Sequence, residues 1–268
     1  MSRGELDHSA GRAMFGENPA AYHAARPPYP EALYARLVER AGLGPGTPVF
    51  EVGPGTGLAT ARLLALGAAP LLAIEPDARL AAFLAARVTD PALTIIGAPF
   101  DEADVPAARF ALGVAATSFH WLDPPSALAK ARRSLRPGGW WSMWWMNFGD
   151  AAVDPFREAT QHLFAETPRS PAHGRPGGPA FAMDRDARLV DLARAGLEPA
   201  EVDFWPWTET LETARLRALY ATYSPIQALP PDKRARLLDG VAAIADRDFG
   251  GRVERAFSTI LYMARRPL

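Results

Sequence analysis

The sequence predicts a doubly wound α/β fold, in which a mostly parallel seven-stranded sheet lies between two layers of helices. Three observations predict this fold. Short apolar runs alternate along the chain with segments of helical periodicity. The runs lack the polar alternation of half-exposed strands, which indicates burial on both faces. Polar or glycine-rich residues follow each run, at the edge where such sheets bind ligands.

The first half of the chain carries the regular part of this pattern. Amphipathic spacing predicts a helix over 31–41, which the glycines of 42–46 end. Strands and helices then alternate at short spacing. We expect strands at 49–52, 71–74, 93–96, 110–115 and 140–148, and helices at 58–66, 80–88 and 124–135.

The second half of the chain departs from this rhythm. A proline- and glycine-rich segment at 168–179 is typical of a flexible loop that covers a site. We expect helices at 155–166, 184–195 and through most of 212–247, and strands at 202–207 and 257–264.

The domain organisation follows from these elements. Residues 1–30 show no clear period, which leaves two interpretations, an irregular flap across a surface or a poorly ordered tail. We expect one domain over 1–268, with the flap at 1–30 and cap insertions at 149–183 and 208–255.

Composition narrows the class of protein. The 268 residues carry a net charge of -1, and 49% of them are hydrophobic, which is typical of a globular chain. There is no basic stripe for nucleic acid, and no apolar run approaches the roughly 18 residues of a membrane span. The absence of cysteine excludes thiol catalysis, disulfides and cysteine-rich zinc sites. We expect a cytoplasmic monomer or homodimer that binds a small molecule, without nucleic acid, membrane or metal.

The stretch Val49-Phe50-Glu51-Val52-Gly53-Pro54-Gly55-Thr56-Gly57 is the strongest candidate for a ligand site. Three glycines spaced two apart connect a buried strand to a helix. Glycine permits positive φ and lets a ligand approach the backbone. The helix that follows offers unpaired N–H groups and the positive end of its dipole.

Two nucleotide-binding patterns fail at this turn. A phosphate-binding loop needs Lys and then Ser or Thr after its last glycine, but Leu58 and Ala59 follow here. The dinucleotide pattern places its third glycine at Leu58, so it fails as well. What remains is a set of three glycines with two acids, Glu51 within the strand and Glu75 after the next strand. A carboxylate at Glu75 can accept hydrogen bonds from vicinal ribose hydroxyls.

This set resembles motif I of the class I S-adenosylmethionine-dependent methyltransferases. Phe119-His120-Trp121 is similar to the signature of a type 11 group related to trans-aconitate methyltransferases. Leu135-Arg136-Pro137-Gly138-Gly139-Trp140 resembles the family's motif before the fifth strand. Tyr22 and Arg26-Pro27-Pro28-Tyr29-Pro30 resemble the arm in front of the same group's fold. The resemblance covers roughly residues 15–148.

The resemblance implies a Rossmann-like fold, S-adenosyl-L-methionine as cofactor and methyl transfer to another molecule. Pro99 stands where the family often has an acid, so adenine recognition is expected to depend on backbone groups and on Phe100 or Asp101. The cofactor-binding residues that it implies are Tyr22, Arg26, Glu51, Gly53, Gly55, Gly57, Glu75, Pro76, Ala98, Pro99, Phe100, Thr117 and Ser118.

His120 is the candidate catalytic residue, as the general base that deprotonates a substrate. An ordinary histidine pKa of about 6.5 suits that role, and a hydrogen-bonded structural histidine is the alternative. An aromatic, weakly charged cap suggests a small, partly apolar acceptor of O, N or C type. Its candidate contacts are Trp121, Trp145, Asn147 and Tyr223.

Two other functions remain open. A protein can bind this cofactor and catalyse a different reaction, such as a cyclisation. A nicotinamide oxidoreductase is built on a related sheet, but the missing third fingerprint glycine argues against it.

Overall fold

A computed structural model describes residues 4–7, 14–149, 154–200 and 202–268. Within them the strands form one sheet in the order β3-β2-β1-β4-β5-β8, and both β6 and β7 pair with β8. The strands are β1 (Thr47–Val52), β2 (Ala68–Ile74), β3 (Leu93–Ile96), β4 (Phe110–Ala116), β5 (Leu135–Phe148), β6 (Glu198–Pro199), β7 (Asp203–Glu212) and β8 (Arg252–Arg265).

Strands β1 to β5 run parallel and β8 runs antiparallel to β5, which confirms the predicted α/β fold. Eight strands form the described sheet and not seven, because the two-residue β6 pairs with one end of β8 while β7 pairs with the rest. The strand order reverses between β1 and β4. The connections that follow these two strands therefore leave in opposite directions and form a crevice outside their carboxyl ends, which is where such sheets bind ligands.

The helices lie on both faces of this sheet and above one end of it. They are α1 (Pro19–Ala25), α2 (Glu31–Ala41), α3 (Leu58–Ala65), α4 (Ala78–Arg87), α5 (Pro124–Ser134), α6 (Pro155–Thr160), α7 (Arg185–Arg194), α8 (Thr213–Ala221), α9 (Ser224–Gln227) and α10 (Pro231–Phe249). Within the described ranges, none of the helices has the length and apolar character needed to cross a membrane.

Two apolar cores fill the space between the sheet and its helices. Side chains alternate along β5, so that Trp141 and Trp145 belong to one core while Trp144 belongs to the other. This confirms that the tryptophan-rich strand mainly packs the interior. A third cluster, which includes Phe156 and Val241, lies beneath the cap.

The N-terminal arm is more regular than the sequence suggested. Residues 19–25 form α1, because the Asn18 carboxamide accepts a hydrogen bond from the Ala21 N–H (3.0 Å) and Pro19 occupies the first turn. The helix packs against α4 and α8. The prediction of irregular structure is wrong for this part, and residues 1–3 and 8–13 of the predicted flap lie outside the described residues.

The cap also differs in detail from the prediction. Strand β7 continues to Glu212 and β8 begins at Arg252, so the second insertion spans 213–251 and not 208–255. The predicted helix 155–166 ends at Thr160 and continues as a 3₁₀ turn to Phe164. Residues 150–153 of the first insertion lie outside the described residues.

The loop at 168–179 is tied to the N-terminal arm. The Arg169 N–H donates to the Gly4 carbonyl (2.9 Å), and the Leu6 N–H donates to the Arg169 carbonyl (2.9 Å). Ser170 caps a short 3₁₀ turn at Pro171–His173. Two segments that are distant in sequence therefore hold each other in place over this end of the sheet.

Candidate active site

The glycine turn lies at the carboxyl end of β1 and leads into α3. Gly53, Gly55 and Gly57 have φ of +68°, +57° and +85°, which is the left-handed region that favours glycine. A Cβ at Gly55 would meet no atom within 4 Å, so this residue presents its backbone to open space. A Cβ at Gly53 would lie 2.6 Å from Ser118 Cβ, and one at Gly57 would lie 2.5 Å from Leu84 Cδ1.

Glu75 stands opposite the turn, at the end of β2. Its side chain is buried, and its carboxylate accepts hydrogen bonds from the Gly55 N–H (2.9 Å) and the Asp77 N–H (3.0 Å). These two bonds hold the carboxylate at the edge of the crevice. Each carboxylate oxygen can accept more than one hydrogen bond, so Glu75 keeps capacity for ribose hydroxyls.

A cavity opens between the turn, the end of β4 and the N-terminal arm, and we call it the cofactor cavity. It is lined by Phe15, Tyr22, Tyr29, Val52, Gly53, Pro54, Gly55, Thr56, Leu58, Ala59, Ile74, Glu75, Pro76, Leu80, Phe100, Ala116, Thr117, Ser118, Trp121 and Leu122.

The chemistry of the cofactor cavity fits S-adenosylmethionine. None of its described lining residues is Lys or Arg, so no side chain in its wall offers a counter-charge to phosphate groups. Glu75 supplies a carboxylate for a ribose in a cationic molecule. The buried Thr56 hydroxyl has no hydrogen-bond partner within the described protein, so it can bond to a polar ligand.

Eight of the predicted cofactor residues line this cavity, and five do not. Arg26 lies in a second cavity, described below. Ala98 and Pro99 stand beside the wall residue Phe100 without reaching the wall, and Gly57 serves the packing of α3 against α4. Glu51 lies behind the turn.

The Glu51 carboxyl is fully buried beneath α3. It accepts a hydrogen bond from the Thr60 hydroxyl (2.7 Å), and its second oxygen has no partner within the described protein. Burial raises the pKa of Glu51 to about 7, an effect that the Thr60 hydrogen bond opposes and the nearby Glu75 carboxylate reinforces. The described contacts of Glu51 lie within the protein interior, so its predicted contact with the cofactor stays a prediction.

Several residues of the cofactor cavity were missed from the sequence. Phe15 and Tyr29 come from the arm, and Leu80 comes from α4. Tyr29 lies inside the Arg-Pro-Pro-Tyr-Pro motif, so that motif was the available signal. Phe15 and Leu80 carried no local signal, because only the fold brings them to the crevice.

A second, larger cavity of about 1140 Å³ lies beneath the cap, and we call it the acceptor cavity. Its walls come from β5, β7, β8, the arm and the cap helices. His120, Trp121, Trp145, Asn147 and Tyr223, which were predicted to contact substrate, all line it. The structure therefore brings together the whole predicted substrate set.

His120 is held by Trp145 within this wall. The indole Nε1–H of Trp145 donates to Nδ1 of His120 (3.0 Å), and both side chains are buried. An indole nitrogen can only donate, so Nδ1 carries a lone pair and the neutral ring carries its proton on Nε2. If His120 were to act as a general base through Nδ1, this hydrogen bond would have to break.

The two cavities share four wall residues, which are Phe15, Tyr22, Thr117 and Trp121. Thr117 follows directly after β4, and Phe15 packs edge-on against both Tyr22 and Trp121 (5.7 and 5.8 Å between centroids). The two cavities are therefore neighbours that share a wall made by the arm and the end of β4.

Comparison with known proteins agrees with this geometry. Residues 50–143 match a family model described as a methyltransferase domain. An uncharacterized methyltransferase of Mycobacterium tuberculosis is 28% identical over 231 residues, which cover 85% of this chain and 83% of the relative.

Solved structures share the fold at low identity. Phosphoethanolamine N-methyltransferase 2 of Haemonchus contortus, in complex with S-adenosyl-L-methionine, superposes with a TM-score of 0.58 at 12% identity, covering 94% of this chain and 57% of that chain. The [4+2]-cyclase SpnF superposes with a TM-score of 0.62 at 16% identity and covers 100% of both chains. The glycine turn, Glu75, the methyltransferase-domain match over residues 50–143 and the methyltransferase relatives together support a class I S-adenosylmethionine-dependent methyltransferase.

Proposed function

We propose that the protein transfers a methyl group from S-adenosylmethionine to a small, partly apolar molecule bound in the acceptor cavity. The observation that carries this proposal is that the two cavities are neighbours and share Thr117 and Trp121 in their walls. The bound cofactor supplies an electrophilic methyl group. The protein supplies orientation and exclusion of water, which suffice for much of the rate enhancement in such a displacement.

The acceptor cavity favours neutral or anionic molecules. Aromatic and aliphatic side chains form most of its wall, Arg26 and Arg157 also line it, and none of its described lining residues is acidic. Arg255 lines it too, but its charge is paired with the Asp154 carboxylate. A cationic amine would find no counter-charge there. Hydroxyl, carbonyl and carbon-acid acceptors therefore fit the wall better than ammonium compounds.

Two polar groups are placed to orient the acceptor. In the tautomer that Trp145 favours, the His120 proton is on Nε2. The Tyr223 hydroxyl is buried in the same wall and has no partner within the described protein, and burial raises the pKa of Tyr223, so it stays protonated. We propose that these groups donate hydrogen bonds to an oxygen of the acceptor, and that His120 acts as a base only where the Trp145 bond opens.

Titration calorimetry with S-adenosylmethionine tests the cofactor site. We expect the wild type to bind and Gly55→Val to lose binding, since the added side chain would project into the cofactor cavity. Gly42→Val is the matched control, because Gly42 also has positive φ (+66°) and open space at its Cβ but caps α2 away from the cavity. Equal binding by both variants would refute the placement of the cofactor.

Release of S-adenosylhomocysteine over a panel of hydroxyl, carboxyl, carbon-acid and amine compounds tests the transfer. We expect stoichiometric methylated product from a neutral or anionic member of the panel. Exclusive methylation of ammonium compounds would contradict the proposed chemistry of the acceptor cavity.

A cofactor-dependent reaction without methyl transfer is the second candidate. The observation in its favour is the full-length likeness in fold to a [4+2]-cyclase. In that case a substrate would be converted while S-adenosylmethionine is recovered unchanged and no S-adenosylhomocysteine forms. The same panel separates the two functions by the fate of the cofactor.

A further inference from the structure

Thr117 has an unusual backbone for its residue type. Its φ is +54°, in the left-handed region, which a β-branched residue adopts only at a cost. It occupies the first position after β4 and lines both cavities. Strain of this kind persists where surrounding contacts enforce it, and it clusters at functional sites.

The contacts that enforce this conformation are specific. The Thr117 N–H donates to the Trp144 carbonyl (2.8 Å), and the Thr117 hydroxyl is hydrogen-bonded to the Tyr29 hydroxyl (2.9 Å). Tyr29 itself packs edge-on against the Trp144 ring (5.8 Å between centroids). Burial raises the pKa of Tyr29, so its hydroxyl remains neutral.

The Tyr29–Thr117 pair therefore places two neutral hydroxyl groups in the wall of the cofactor cavity, and Thr117 also belongs to the wall of the acceptor cavity. In the proposed function, on which this step rests, the transferable methyl group must lie where the two cavities share a wall, because it passes from one cavity to the other. The methyl group is bound to a positive sulfur, and oxygen lone pairs stabilise a nearby positive charge.

We propose that the Tyr29–Thr117 pair is a positioning device for the methylsulfonium group, which it recognises by its charge and aligns with the acceptor cavity. S-Adenosylhomocysteine lacks that methyl group and is neutral at sulfur. The pair should therefore contribute to the binding of S-adenosylmethionine and contribute little to the binding of S-adenosylhomocysteine.

Titration calorimetry with both compounds tests this proposal in the absence of any acceptor. The variants are Tyr29→Phe, which keeps the ring packing, and Thr117→Val, which keeps the shape and the β-branch. We expect each to weaken S-adenosylmethionine binding by about fivefold or more, while S-adenosylhomocysteine binding changes by less than about twofold. Thr117→Ser keeps the hydroxyl and should bind both compounds as the wild type does.

Ser224→Ala is the matched control. It removes a hydroxyl from another buried pair, Ser170 and Ser224 (3.3 Å between Oγ atoms), which lines only the acceptor cavity. It should leave both affinities unchanged.

Equal weakening of both compounds in Tyr29→Phe, or no change in either, would overturn the proposal and leave the cofactor assignment intact. Should Thr117→Val not fold, Tyr29→Phe still decides. A wild type that binds neither compound would overturn the proposed function and this inference together.

Discussion

At the scale of single residues, the site depends on which atoms carry protons. The hydrogen bond from Trp145 places the proton of a neutral His120 on Nε2, which is why we propose a donor role for this residue in place of a general base. The sequence makes His120 a candidate catalytic residue, and this stays a prediction, while its tautomer depends on a partner 25 residues away in the chain.

Substitutions of His120 distinguish a role as hydrogen-bond donor to the acceptor from a role as general base. The amide nitrogen of His120→Gln can replace the Nε2–H donor, so we expect it to retain most of the turnover. His120→Ala should lose about tenfold, the value of one hydrogen bond, and both should bind S-adenosylmethionine normally. Turnover with the acceptor found in the panel is the measurement. Losses of roughly 10²-fold or more in both variants would instead indicate general base catalysis.

The tautomer can also be observed directly. In ¹⁵N-histidine-labelled protein, we expect His120 to show a protonated Nε2 and an unprotonated Nδ1 near neutral pH. Trp145→Phe removes the donor, and the preference should then weaken. An unchanged spectrum in that variant would mean that Trp145 does not set the tautomer.

Glu51 predicts a pH dependence of folding stability. Its pKa is raised from 4.5 to about 7 in the folded protein, so the native state binds the proton more tightly than the unfolded chain. Stability from this group is therefore greatest below pH 4.5 and is lost as the pH rises toward 7. Relative to Glu51→Gln, the wild type should lose up to about 3 kcal/mol across that window.

Urea unfolding of both proteins without cofactor, at several pH values, measures this difference. Parallel pH profiles would show that Glu51 titrates normally. In the difference between the two unfolding free energies, the contributions of the other ionisable groups cancel, because both proteins contain these groups.

At the scale of elements, one buried ion contact joins the cap to the sheet. Arg255 on β8 lies 3.1 Å from the Asp154 carboxylate, which also caps α6 through the Arg157 N–H (3.0 Å). Arg255 donates a further hydrogen bond to the Tyr220 hydroxyl on α8 (2.8 Å). Three elements that are separated in the chain thus meet at one guanidinium.

Removal of either charge should destabilise the protein strongly. We expect Arg255→Met or Asp154→Asn to cost about 3–5 kcal/mol, because each leaves the other charge buried without its partner. The double variant should cost less than the sum of the two. Unfolding free energies in a double-mutant cycle give the coupling, and strict additivity would show that the two charges act independently.

The regular elements were predictable because their signals are local. Helix α2 and strand β3 have the predicted bounds, since amphipathic spacing and a short apolar run are both read within one element. Helix α1 was missed, because a cap by Asn18 and a proline at the first turn outweigh a weak apolar pattern. The two-residue β6 has no signal of its own and exists only through pairing with β8.

The residues of the site also differ in whether a local sequence signal predicts them. The glycine turn and Glu75 carry motif spacing, so the sequence predicts them as cofactor-binding residues, and Gly53, Gly55 and Glu75 line the cofactor cavity. Phe15 and Leu80 were not found, since tertiary packing alone brings them to the cavity. The placement of Arg26 in the acceptor cavity also depends on packing, because its guanidinium lies 4.9 Å from the ring centroids of both Tyr22 and Phe148.

At the scale of the whole molecule, the arm closes two compartments at once. Phe15 and Tyr22 line both cavities. When a ligand in one cavity orders these side chains, the ligand that binds in the other cavity pays less conformational entropy. We expect S-adenosylhomocysteine and the acceptor to raise each other's affinity by the same factor. Calorimetry of each ligand with and without the other measures that factor.

Alanine at Phe15 or Tyr22 should reduce this coupling toward unity. Tyr223→Phe is the control, because Tyr223 lines the acceptor cavity and not the cofactor cavity. This variant should retain the coupling between the two ligands. Independent binding in the wild type would show that the arm does not link the compartments.

The backbone pairing of Gly4 and Leu6 with Arg169 has a kinetic consequence. Residues of the loop at 168–179 line the acceptor cavity, and the start of the N-terminal arm fastens this loop, so we expect product release to require both hydrogen bonds to open. Such a latch slows the release of products from the acceptor cavity. We therefore expect product release, and not methyl transfer, to be the rate-limiting step. We expect a burst of about one S-adenosylhomocysteine per enzyme before the steady state, and a linear time course from the start would contradict the latch.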